Sequence, residues 1–157
     1  MDSPLGSAVG NSLEVIESVE ILKGKTSGNL WTVCRELSCR MLMLAGIGDK
    51  DECGRLVDEA VESGEALKRF EMMVKLQGGD VSYIEDTSKF RKASFSREVY
   101  APADGYITHM DSEKIGLTAV LLGAGREKKD DDINHAAGII IAAKTGDFGG
   151  GKFLVSF

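Results

Sequence analysis

The residues with the most chemical potential lie in one short stretch, Ser3-Pro4-Leu5-Gly6-Ser7-Ala8-Val9-Gly10-Asn11, which runs straight into Glu14 and Glu17. Pro4, Gly6 and Gly10 enforce turns and leave backbone carbonyls without ladder partners. Asn11 is a good N-cap, and Glu14 stands three residues on, as in a capping box. Glu17 lies one helical turn beyond Glu14. Loop carbonyls beside one carboxylate make a hard-oxygen environment of the kind that holds K+ or a Ca2+-type ion. A capped helix with a solvated glutamate face is the plainer alternative.

Two further constellations invite chemistry. Leu122-Gly123-Ala124-Gly125-Arg126, with Lys128 and Lys129, is a glycine-rich turn beside cations, suited to an anion. It lacks the third glycine and the downstream acid of a dinucleotide fingerprint, and a tight connection with a solvated charge run from Arg126 to Asp132 is the favoured, plainer reading. The turns Ala101-Pro102-Ala103-Asp104-Gly105 and Gly146-Asp147 are spaced around strands like the halves of a biotinyl- or lipoyl-type sandwich. No lysine at a hairpin tip stands in the carrier contexts Met-Lys-Met or Asp-Lys-Ala, so a carrier is disfavoured. The two histidines, His109 and His135, are isolated and form no triad. No carboxylate pair stands out as acid and base. Cys34, Cys39 and Cys53 lie in helical context with no Cys-x-x-Cys, and read as reduced, buried small side chains rather than metal ligands.

The elements that must position these groups follow from periodicity. Leu13, Ile16, Val19 and Leu22 form one helical stripe that Gly24 ends. A second helix is expected from Asn29 to Ala45, with Leu30, Val33, Cys34, Leu37, Met41 and Leu44 on its inner face. A third runs from Asp51 to about Glu62, with Leu56, Val57, Ala60 and Val61 inward. A fourth carries Leu67, Phe70, Met73 and Val74 and ends at Gly78-Gly79. Beyond Ser94 the texture changes. Phe95 to Tyr100 reads as extended, Tyr106 to Met110 as a strand, Ile115 to Leu122 as a short helix, Gly138 to Ala143 as a buried strand and Phe153 to Phe157 as a last strand. The fold class is therefore α+β: a helical first half, then a β-rich module with a short helix. The expected division is 1–80 helical, 81–93 linker and 94–157 β-rich.

With 157 residues and a net charge of −6, a core can form, and bulk nucleic-acid binding is disfavoured for want of a basic face. No apolar run approaches membrane-spanning length, and the start has no basic region followed by an apolar stretch, so neither a membrane partner nor secretion is expected. The abrupt opening, with no leading strand or polar tail, leads us to expect a piece of a larger protein.

Taken in order, the motifs resemble those of the pyrimidine-nucleoside and thymidine phosphorylases. The resemblance covers Ser3-Pro4-Leu5-Gly6-x-Ala8-Val9-Gly10-Asn11-x-Leu13-Glu14-Val15, then Glu17 and Leu22-Lys23-Gly24. It continues in Gly64-x-Ala66-Leu67 with Phe70, in Met73-x-x-x-Gln77-Gly78-Gly79-Asp80 and in Ala101-Pro102-x-Asp104-Gly105-Tyr106. It returns in Ile115-Gly116, Leu121-Leu122-Gly123-Ala124-Gly125-Arg126, Ile133-x-x-Ala136-x-Gly138 and Gly146-Asp147. Such enzymes, which are glycosyltransferases of pyrimidine nucleoside salvage, cleave a pyrimidine nucleoside with phosphate to the free base and a pentose 1-phosphate. The resemblance implies the C-terminal portion: a remnant of the large α/β domain at 1–80 and a truncated C-terminal module at 94–157.

It also implies what is lacking. The family's phosphate and base motifs lie upstream of the Pro-Leu-Gly loop, so no catalytic residue is carried over, and the chain alone is expected to be inactive. No dissociable cofactor is required. The family binds a monovalent cation, K+ in the intact enzyme, through two carbonyls of that loop and a glutamate of the next helix. The matching positions are Leu5, Ala8 and Glu17, an incomplete set here. Phosphate and pyrimidine nucleoside are the implied partners of the intact enzyme, a cytoplasmic homodimer. The alternative is a non-catalytic module that pairs with a separately encoded N-terminal half. The chain departs from the family after Gly146-Asp147, where Phe148-Gly149-Gly150-Gly151-Lys152-Phe153 replaces the usual pattern. The chain is then truncated at both ends or a degenerate frame, and an unpaired strand edge is expected near Phe153 to Phe157.

Overall fold

A computed structural model of the chain describes residues 3–148 and the backbone of Lys152–Ser156. Helices dominate the first half and a small antiparallel sheet the second, an α+β arrangement. The chain divides into two compact units, Ser18–Lys89 on the one hand and Met1–Glu17 with Phe90–Phe157 on the other. The opening residues, read from sequence with the helical part, thus belong with the β-rich module. The cause is a short strand that sequence reading missed: β1 (Ala8–Val9) pairs antiparallel with β3 (Gly138–Ile141), Ala8 opposite Ile140 and Val9 opposite Ile139.

The sheet runs β1-β3-β4-β2, with β2 at Ser96–Tyr100 and β4 at Lys152–Ser156, and every neighbouring pair is antiparallel. β4 is interior, paired on one side with β3 and on the other with β2. The expectation of an unpaired edge there is therefore corrected for these residues; Phe157 lies outside the described residues. The expected strand Tyr106–Met110 also does not form. Tyr106 makes only an isolated bridge with Phe148, their rings 4.9 Å apart. The amide of Ile107 donates instead to Asp147 O (3.0 Å), and Gly146 N–H donates to Ile107 O (2.8 Å). These bonds bring the segment after Gly105 and the Gly146-Asp147 turn together without a ladder.

The core of this unit is small: Met110, Ala119, Ile139 and Ile141, with Val9, Ile107, Ile115, Leu122 and Ala124 packed against it. Helix α6 (Ser112–Ala119) contributes to it and runs on into a π-helical turn, Val120–Ala124. The short helix read at 115–122 is thus present with an earlier start. Asp111 caps it, accepting from Lys114 N (3.1 Å), and that bond holds the Asp111 carboxyl below its usual pKa.

In the other unit, α2 (Gly28–Leu44), α3 (Lys50–Glu62) and α4 (Glu65–Leu76) fall within two residues of the expected spans where these were given. The short helix α5 (Ser82–Glu85) and a 3-10 turn, Thr87–Lys89, occupy the stretch read as linker. The inner face of α2 is not the expected one. Cys39 is buried, whereas Leu37, Met41 and Leu44 are exposed (57, 63 and 89 %), as are Val33 and Cys34. A polar contact lies between α2 and α3. Arg35 forks onto Asp58 of α3, Nε to Oδ1 at 2.6 Å and Nη2 to Oδ2 at 2.5 Å. Burial pushes the Cys53 thiol up, as expected for an inert packed cysteine.

Arg35 holds the Asp58 carboxyl below the usual carboxylate range. A depressed folded pKa contributes stability that is present above the unfolded value and lost as pH falls through the folded one. Asp58→Asn is expected to lower the melting temperature by about 3 °C at neutral pH, a partly exposed pair being worth little. The gap to wild type should close below about pH 4. Melting curves from pH 7 to pH 3 check this, and a gap that widens in acid would refute it.

Candidate functional site

The site is the opening loop and its surroundings. Helix α1 (Asn11–Leu22) presents Glu17 back toward the loop that precedes it. The carboxylate accepts two backbone amides, Ser7 N–H on Oε1 (2.7 Å) and Ala8 N–H on Oε2 (3.1 Å). Two successive amides on one carboxylate close the loop onto the helix, with Ala8 buried at 4 % exposure. The turn needs glycine at position 6. Gly6 has φ +73°, and a Cβ there would lie 2.5 Å from Glu17 Oε2.

The helix start differs from the sequence reading. Asn11 is already helical, and Gly10 takes the capping place: its N–H donates to Glu14 Oε1 (2.9 Å) and its carbonyl accepts from Glu14 N (2.9 Å). The Asn11 amide is used elsewhere, donating from Nδ2 to Ala124 O (2.9 Å). Ser12 N–H donates to His135 O (3.2 Å). The site is therefore tied to the turn at Leu122–Arg126 and to the entry of β3.

Lys144 supplies the charge opposite Glu17. Its Nζ donates to Pro4 O (2.9 Å) and to Gly6 O. Its own backbone is pinned by the turn that follows: Lys144 N–H donates to Asp147 Oδ2 (2.7 Å), and Lys144 O accepts from Asp147 N (3.0 Å). Burial pushes the Lys144 pKa down, and the Glu17 charge opposes that shift. Ser7 O accepts from Ile141 N (2.7 Å), so three positions of the loop, Pro4, Gly6 and Ser7, have their carbonyls engaged by β3 and the segment after it.

Of the cation-site residues expected from sequence, Ala8 and Glu17 are joined by a hydrogen bond, and Leu5 lies between the two carbonyls that hold Lys144. Ala8 meets Glu17 through its amide, not through the carbonyl expected of a cation ligand. The positive charge at the described loop belongs to Lys144, which takes the carbonyls of Pro4 and Gly6. Sequence reading missed this lysine.

Just past the glycine-rich turn, Asp131 Oδ2 accepts both Glu127 N–H (3.2 Å) and Lys128 N–H (2.8 Å), and Gly123 O accepts from Asn134 N (2.9 Å). The protein's own carboxylate thus sits on the two amides that follow Arg126. Among the described residues no helix is long and apolar enough to cross a membrane.

Comparison with known proteins adds the following. Residues 106–148 match the family described as the pyrimidine nucleoside phosphorylase C-terminal domain. Over 148 residues, 94 % of this chain, the sequence is 39 % identical to a pyrimidine-nucleoside phosphorylase of Bacillus subtilis (strain 168). Over the same extent it is 38 % identical to the enzymes of that name from Staphylococcus aureus strains bovine RF122 / ET3-1 and USA300. The chain spans about a third, 34 %, of the length of these relatives.

Proposed function

We infer that this chain, which resembles the C-terminal part of pyrimidine-nucleoside phosphorylase over nearly its whole length, serves as the scaffolding portion of such an enzyme. The reaction of the complete enzyme is phosphorolysis of pyrimidine nucleosides. Phosphate attacks the anomeric carbon as the glycosidic bond to the base breaks, and the products are the free base and a pentose 1-phosphate. The observation that carries the reading is the agreement between similarity across 94 % of the chain and a closed Pro-Leu-Gly loop on Glu17, at the place where the resemblance puts a cation site.

What this chain's residues do in that reaction is indirect. Glu17 and Lys144 hold the loop, β1 joins the loop to the sheet, and Asn11 and Ser12 anchor the helix start. The phosphate and base contacts belong to segments that precede the loop in the family. K+ on Leu5, Ala8 and Glu17, a homodimer and a cytoplasmic location are parts of the same proposal, as the resemblance implies. A titration of the pure chain with inorganic phosphate and uracil, followed by amide NMR shifts, tests the division of labour. No saturable shift is expected, and saturable binding of both together would overturn it.

A second reading, in which the chain pairs with a separately encoded N-terminal portion, is favoured by one observation. The helical unit carries an apolar groove of ≈ 590 Å3, lined by Ile21, Leu22, Trp31, Leu42, Val57 and Phe70 among others. Beside it, α2 exposes Leu37, Met41 and Leu44. A reading frame ending in the missing phosphate and base motifs, next to the gene for this chain, supports that version. Its absence favours a single longer polypeptide or a relic.

A further inference from the structure

We propose that the exposed face of α2 is a self-docking seam, through which two copies of this chain pair by their α2 helices. Leu30, Cys34, Leu37, Met41 and Leu44 follow one another at steps of four, three, four and three, the spacing of the a and d positions of a heptad. Leucine takes every d position, and Cys34 and Met41 take the a positions. Leu30 is half-buried at the margin of the groove, and the other four are exposed. The contact with α3 lies on the other side of the helix. Buried Cys39 stands at the f position, opposite the seam, and donates from Sγ to Lys50 O (3.4 Å), while Arg35, at b, holds Asp58. α2 is thus anchored to its own unit by one side. An apolar stripe about 21 Å long is left uncovered on the other.

The occupant this stripe accepts is a second α2. A heptad stripe interlocks with a helix of the same repeat, and every copy of the chain carries one, so the surface is complementary to itself. The positions flanking such a seam select partners by charge. Here the e positions hold Trp31 and Ser38, and the g positions Val33 and Arg40. Arg40 is paired within its own helix, Nε to Glu36 Oε1 at 2.8 Å. No unpaired charge therefore flanks the seam, although the chain as a whole carries −6. Leucine at d also avoids the isoleucine pattern that favours three or four strands. The pairing needs nothing from segments that precede the Pro-Leu-Gly loop, and it is independent of the family's reaction.

Sedimentation equilibrium of the full chain from about 2 to about 200 µM tests this. Wild type is expected to pass from monomer to dimer with a Kd on the order of 10 µM, as suits a short interface. Leu37→Lys combined with Leu44→Lys sets ammonium groups in the seam and is expected to weaken pairing about 100-fold. Both leucines are exposed, so the dilute variant should melt within about 2 °C of wild type. Met41→Glu, at another exposed position of the seam, should also abolish the dimer. Leu117→Lys combined with Leu121→Lys, at exposed leucines of the β-rich unit, should leave it unchanged. A wild type that stays monomeric throughout overturns the proposal, as does a dimer that survives the α2 variants or is lost in the β-rich control. A monomeric wild type that instead binds the preceding two-thirds of the Bacillus subtilis relative, and loses that binding in the α2 variants, assigns the face to that segment and overturns self-docking as well.

Discussion

Gly138→Ala is expected to be the most damaging single methyl group that can be added to this chain, at about 4 kcal/mol. The strand pair β1–β3 closes at two glycines that meet backbone to backbone. A Cβ on Gly138 would strike Val9 O, lie 2.8 Å from Leu13 Cδ1 and sit 3.1 Å from the Cα of Gly10. The contact is reciprocal, since a Cβ on Gly10 would be 2.5 Å from Ala137 O, and Gly10 has φ +145° as well. Neither neighbour can yield cheaply: one is a paired strand and the other the start of α1. The expected fall in melting temperature is about 12 °C. Gly146→Ala provides the contrast. Its Cβ would meet nothing within 4 Å, so it bears only the cost of its φ of +96° and should lose far less. Thermal melts of the two variants side by side decide the matter, and equal losses would mean that the close approach at Gly138 is not what limits the fold.

Removing the Glu17 carboxylate is the second large effect. Glu17→Ala leaves the amides of Ser7 and Ala8 without their acceptor, one of them on a residue that is 4 % exposed. Losing two charge-assisted bonds, with a buried donor orphaned, costs about 3 kcal/mol, or about 9 °C in melting temperature. Glu17→Gln keeps one accepting oxygen but turns an N–H2 toward the second amide, so it is expected to fall about halfway between. Hydrogen exchange gives the sharper readout. Protection should vanish at Ser7 and Ala8 and persist within α2 and α3. Uniform loss across both units would show that Glu17 supports global folding rather than the loop.

How much of this was legible beforehand differs by element. The spans of α2, α3 and α4 follow from local periodicity and glycine stops, and the structure keeps them within two residues where they had been given. The inner face of α2 did not follow, because periodicity locates an apolar stripe without saying whether a partner covers it. Arg35 and Asp58, two residues that a hydropathy pattern places outside, meet between α2 and α3. β1 was invisible for a related reason. Two residues carry no period, and their pairing with Ile139 and Ile140 is set by a contact more than a hundred residues away. Asp49 and Asp111, by contrast, were readable caps that went unread: each stands just before its helix and accepts the amide three residues on.

The candidate site divides in the same way. Glu17 could be singled out because glycines and a proline concentrate around it and because the motif matches known enzymes. Lys144 could not, since its partners at Pro4 and Gly6 are remote in sequence and nothing local marks a lysine as a loop clamp. The Gly123-Ala124-Gly125 turn shows the converse. It looks able to hold an anion, and the Asp131 carboxylate occupies the amides of Glu127 and Lys128 just beyond it. For Lys144 the deciding contacts reach carbonyls 140 and 138 residues away, which side-chain pattern does not encode, whereas Asp131 meets amides only 4 and 3 residues before it.

The central claim is that these residues order a scaffold whose turnover depends on segments preceding the Pro-Leu-Gly loop. Uracil release from uridine and phosphate, assayed on the pure chain and again after mixing with the preceding two-thirds of the Bacillus subtilis relative, tests it most directly. The account predicts no release by the chain alone and phosphate-dependent release by the mixture. Release by the pure chain, at a rate the added segment does not change, would contradict it.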